Sequence, residues 1–186
     1  MKKLVMLGAV VTAIMVGGSV ALAQDDETVP TFGAYSLEPG FLPDPFIVSV
    51  IGGGPNDAST LGLGEGCIGY VAETPDVSFT YAVAPEGFRI FFIGDSDATL
   101  LVQKPDGTFV CNDDSVGLDP AIAFIGEVEG TYNVWIGTFA SDAPSFGYVM
   151  LTEVQESVPG NILTPIANFI TQFVPMEEFM GTTEGS

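Results

Sequence analysis

Residues 95–115 read Asp95-Ser96-Asp97-Ala98-Thr99-Leu100-Leu101-Val102-Gln103-Lys104-Pro105-Asp106-Gly107-Thr108-Phe109-Val110-Cys111-Asn112-Asp113-Asp114-Ser115, and the fold turns on them. Thr99–Gln103 and Thr108–Asn112 are apolar, β-branched runs of strand length. Between them, Pro105 presets φ and Gly107 accepts φ > 0, which is the chemistry of a hairpin turn. Farther along, Gly130-Thr131-Tyr132-Asn133-Val134-Trp135-Ile136-Gly137-Thr138 alternates. In a strand, Tyr132, Val134 and Ile136 share one face and Asn133, Trp135 and Gly137 the other. The first set has the composition of a core.

The same reading extends outward in both directions. Phe46–Ile51 is an apolar run stopped by Gly52-Gly53-Gly54-Pro55, and Cys67–Val71 follows a glycine-rich loop. Val77, Phe79, Tyr81 and Val83 alternate with small or polar residues, the period of a strand with one buried face. Phe88–Ile93 is apolar on both faces except at Arg89, so it belongs at the centre of a sheet. Ala121–Ile125 and Phe146–Glu153 complete about nine strands, with no convincing helix before residue 155. This pattern predicts an all-β fold: an antiparallel β-sandwich, jelly-roll-like, over residues 46–153.

The flanks have different compositions. Lys2 and Lys3, the apolar run Leu4–Val16 and the ending Ala21-Leu22-Ala23 make residues 1–23 an expected signal peptide. An uncleaved membrane anchor is the alternative, since the apolar run approaches spanning length. The small-residue ending and the absence of a basic stop-transfer flank favour cleavage. Residues 24–45 read as an extended lead-in. In the tail, residues 154–186, Thr164 caps and Pro165 opens a short amphipathic helix carrying Ile166, Phe169, Ile170 and Phe173. That tail is either a hydrophobic handle for a partner, a helix packed on the sandwich, or a loose end. It holds no lysine or arginine, which disfavours a membrane-surface helix.

Charge and cysteine content narrow the setting. The chain carries four basic residues against 24 carboxylates, a net charge of −20. Two of the four leave with the leader, so nucleic acid and anionic lipid are excluded as natural partners. No integral membrane span is expected after signal cleavage, and the setting is periplasmic or secreted. There an intramolecular disulfide between Cys67 and Cys111 is expected. A catalytic thiol is the alternative, but the chain has no histidine to serve as its usual base.

Taken in order, several fragments resemble the bacterial pre-peptidase C-terminal domain family, in its small stand-alone secreted proteobacterial form. They are Gly40-Phe41 with Asp44-Pro45, Cys67 with Gly69-Tyr70, Pro75-Asp76, and Asp97 before Thr99-Leu100. Pro105-Asp106-Gly107, Cys111-Asn112-Asp113-Asp114-Ser115, Asp119-Pro120 and Gly130 with Tyr132, Trp135 and Gly137 continue the series. The resemblance covers about residues 35–153. It implies a jelly-roll-like sandwich, bound calcium in some members, and an accessory role beside secreted hydrolases. No catalytic domain precedes the sandwich within these residues, so an inherited peptidase label would describe the family's usual neighbours.

Two places carry candidate chemistry. Asp95 and Asp97 precede one hairpin strand, and Asn112, Asp113 and Asp114 follow the other, so all should meet at one end. With Asp119 from the next loop they form an oxygen-rich set suited to calcium. The alternative is a solvated acidic rim whose carboxylates cap turns. Trp135 is the second candidate: a half-exposed platform for a sugar or peptide, or a ring covered by a loop. Without histidine or a phosphate-cradling loop, no catalytic residues are expected and the protein reads as a non-enzyme. The expected role is an exported accessory or binding domain, calcium-stabilised, with a protein or glycan partner. The alternatives are a carbohydrate- or envelope-polymer-binding module, or an assembly component docking through its tail.

Overall fold

A computed structural model describes residues 29–82, 87–126 and 129–154. The expected leader, residues 1–23, and the helix expected from Pro165 lie outside the described residues. Alternating side chains build strands β1 (Ala34–Leu37), β2 (Phe46–Gly52), β3 (Asn56–Asp57), β4 (Tyr70–Val71), β5 (Val77–Tyr81) and β6 (Phe88–Gly94). These are followed by β7 (Ala98–Gln103), β8 (Phe109–Asn112), β9 (Ala121–Phe124), β10 (Gly130–Thr138) and β11 (Ser145–Thr152). A single 3₁₀ turn, Ala58–Thr60, is the helical content among the described residues.

The strands form two sheets. The smaller has the order β2-β11-β6-β9 and is antiparallel throughout. β6 is internal to it, where its apolar faces placed it. In the larger sheet β10 is the spine: β7 and then β8 lie along one edge. The other edge is divided. β5 pairs with residues 130–134 of β10, and β4 meets it at Thr138. β1 lies outside β5, and β3 lies outside β4.

The all-β two-sheet architecture agrees with the sequence reading, with eleven strands among the described residues rather than about nine. The two additional strands are short. β1 lies in the stretch taken as lead-in; its four residues sit between Gly33 and Pro39-Gly40, too brief for a periodic signal. It also pairs parallel to β5, unlike the antiparallel pattern expected. The connection between them passes through the other sheet, giving the long crossover that parallel pairing requires.

The core lies between the sheets. Tyr132, Val134 and Ile136 face inward as the alternation predicts, and all are fully buried. In the opposite sheet, Phe88 stacks on its β9 neighbour Phe124 at 4.9 Å and reaches across the core to meet Tyr132 edge-on at 5.0 Å. Such pairs add to the large apolar area that each ring removes from water.

Candidate functional site

The register of the larger sheet aligns Trp135, Leu101 and Cys111 in one row across β10, β7 and β8. Strand alternation turns that row away from the core. Cys111 forms the expected disulfide with Cys67, with a Cα–Cα distance of 5.0 Å. The bridge holds the segment between the 3₁₀ turn and β4 against this outer face. There Ala58, Cys67, Val71 and Leu101 are buried, with Leu63, Phe109, Cys111 and Trp135 partly buried around them.

Hydrogen bonds fix the same segment from below. The Thr99 hydroxyl donates to the Ile68 carbonyl at 2.8 Å, and the Ala58 N–H donates to the Gly69 carbonyl at 2.9 Å. The approach is close enough to require glycine. A Cβ at Gly137 would lie 2.3 Å from Thr99 Oγ1, and Gly69 has φ +95° and faces the same hydroxyl.

Above the sheet this arrangement leaves a cavity of about 280 Å³. Its walls are Leu61, Leu63, Val71, Ala72, Leu101, Phe109 and Trp135, with Asn56 and Glu73 as the polar side chains. The Phe109 and Trp135 ring centroids lie 5.6 Å apart with their planes at 39°, and both residues line the cavity. Trp135 is partly buried beside the loop and forms part of the cavity wall. The pocket could not be read from sequence, because Leu61 and Leu63 approach Trp135 only when the loop folds back.

The β7–β8 register, with Leu100 opposite Asn112, sets the residues before β7 and those after β8 at the same end of the hairpin, where several side chains have backbone partners. Asp95 Oδ1 accepts the Phe146 N–H at 3.0 Å, tying the β6–β7 connection to β11. Asn112 Oδ1 accepts the Ala121 N–H at 2.9 Å and so joins β8 of one sheet to β9 of the other. Asp113 accepts from the Asp114 N–H at 3.1 Å. Asp119 accepts from the Gly94 N–H, while its partial burial pushes its carboxyl above the usual range. Asp97 and Asp114 are exposed. Among the described residues no three acidic, cysteine or histidine side chains gather closely enough to hold a metal.

No family model matches this chain, and no curated protein matches it either.

Asp76 is the ionisable group that the sequence did not single out for chemistry. It is 2 % exposed, and Oδ2 accepts the Ile136 N–H at 2.7 Å. That N–H falls in the gap on β10 between β5 and β4, so a carboxylate stands where a strand carbonyl would be. Burial raises its pKa to about 7, against the lowering effect of that hydrogen bond. A second engaged group lies at the end of β11. Glu153 accepts from the Tyr81 hydroxyl and, at 2.8 Å, from the Gly40 N–H. Its own N–H donates to Asp44 at 3.2 Å. Burial raises Asp44 above the usual carboxylate range, and burial with the Glu153 bond raises the Tyr81 phenol.

Proposed function

We propose that this chain is an exported, non-enzymatic binding module whose ligand seat is the Trp135 pocket. The observation that carries the reading is an apolar, aromatic-walled cavity built on a rigid sheet and closed on one side by a disulfide-held loop. Ligand sites are commonly concave, mostly apolar and provided with a few placed polar groups. Asn56 and Glu73 are such groups here. Glu73 is the one titratable side chain of the lining, so the pocket lacks a paired nucleophile and base and suits binding rather than catalysis. Export is supported by the leader-like residues 1–23 and by the disulfide, which persists in oxidising compartments. The resemblance of its sequence fragments to pre-peptidase C-terminal domains would make that role an accessory one.

Trp135 is the only tryptophan, so its fluorescence reports on the pocket directly. Titration of the mature protein with glycan fragments and small amphipathic compounds should shift or quench that emission for at least one class. Trp135→Ala, checked for folding by far-UV circular dichroism, should lose binding measured calorimetrically. Emission unresponsive to every class, with binding unaffected by Trp135→Ala, would remove the pocket from the account. A carbohydrate ligand is the second reading, favoured by the Phe109–Trp135 pair, since aromatic faces pack against sugar rings.

A further inference from the structure

We infer that the Trp135 pocket takes a small organic cation: an amine or quaternary ammonium group carried on a compact apolar body. The inference rests on the pocket reading above and deepens it by naming the ligand's charge. The argument begins with the walls. Leu61, Leu63, Val71 and Leu101 supply an apolar surface that gains by covering hydrocarbon and offers no hydrogen bonds. A polyhydroxylated ligand set into this cavity would lose water from its hydroxyls and find only Asn56 and Glu73 as polar side chains.

The charge of the lining points the same way. Among the described residues Glu73 is the one charged side chain of the lining, and it is exposed. Its carboxylate favours a cation and opposes an anion. Trp135 and Phe109 offer ring faces at an angle, and the negative face of an aromatic ring attracts a cation within about 6 Å of its centroid. Among the described residues no lysine or arginine lines the pocket. Lys104 sits in the β7–β8 turn with its ammonium 3.7 Å from Asp106, and Arg89 belongs to the other sheet. The field of the whole chain, at −20, draws cations towards it and lowers the local concentration of anions. Size sets the final limit: about 280 Å³ suits a compact group rather than a long chain.

The test uses three probes of nearly one shape: choline, 3,3-dimethylbutan-1-ol and 3,3-dimethylbutanoate, which are positive, neutral and negative. Each is titrated into the mature protein at about 0.15 M salt, so that general attraction to an acidic protein is screened. Trp135 fluorescence and calorimetry are the readouts. Choline is expected to bind about tenfold more tightly than the neutral alcohol, the order of a partly desolvated cation–π contact. The acid should bind weakest. Glu73→Gln should reduce the preference for choline over the alcohol. Trp135→Phe, which keeps a ring in the wall, should retain the order of the probes with weaker binding. Equal affinity for choline and the alcohol would overturn the cation inference and leave the pocket reading standing. Absence of binding by all three would overturn the cation inference, and silence of the glycan and amphipath titrations as well would overturn the pocket reading. A choline preference unchanged in Glu73→Gln would place the cation elsewhere on the acidic surface and also overturn the inference.

Discussion

At the scale of single residues, Asp76 links the fold to pH. Its pKa is about 7 in the folded chain, whereas the unfolded group has an ordinary carboxyl value. Between about pH 4 and pH 7 the native state therefore holds a proton that the unfolded state has released. The stability from this group is fully present below the unfolded value and is lost as pH rises through about 7. The Asp76→Asn variant keeps an oxygen for the Ile136 N–H and removes the titration. The melting temperature of the wild type relative to this variant should fall across that interval; a constant difference would show that Asp76 is charged throughout. Gly137 is the second sensitive position. Gly137→Ala drives a methyl group to 2.3 Å from a hydroxyl already bonded to Ile68, and overpacking of this kind costs about 1–3 kcal/mol. Urea denaturation should show the loss as a lower midpoint with an unchanged slope. Neither role was legible locally: Asp76 acts on a residue 60 positions away, and Gly137 matters because of Thr99.

At the scale of elements, the loop between the 3₁₀ turn and β4 depends on its disulfide. The bridge joins residues 44 apart in sequence, and a closed loop of that size restricts the unfolded chain by about 4 kcal/mol. The sandwich core contains neither cysteine. The Cys67→Ser/Cys111→Ser variant should thus remain β-structured but melt lower, and its Trp135 emission should move to the red as the loop leaves the ring. A variant with unchanged emission would mean that hydrogen bonds alone hold the loop. Nine of the strands were legible because each is a run of alternating or apolar residues bounded by turn chemistry. β1 and β3 were not: Ala34–Leu37 lies in a stretch bounded by Gly33 and Pro39, and Asn56–Asp57 is a pair of polar residues, so each is specified by its partner strand rather than by its own pattern. The hairpin showed where the aspartates would gather but not their bonds, because Asp95 and Asn112 meet groups from β11 and β9.

At the scale of the whole molecule, charge acts against compactness. With a net charge of −20, self-repulsion lowers stability at low ionic strength and screening should restore it. The melting temperature should rise with added sodium chloride. The acidic end holds caps rather than a three-carboxylate group among the described residues, so calcium and magnesium at equal ionic strength should raise it equally. A rise specific to calcium and reversed by chelator would show a bound ion that the present arrangement does not form. The sequence by itself determined the sheet class, the inward face of the principal strands and the pairing of the two cysteines. Each follows from local periodicity, turn residues or a cysteine count of two. Only the tertiary structure decided that Trp135 lines a cavity, that Asp76 fills a gap in a ladder, and that the acidic residues stitch strands together. Those outcomes depend on groups far apart in the chain arriving within a few ångströms of one another. No local pattern encodes such meetings, because they are fixed by strand register and by the path of loops across the sheets.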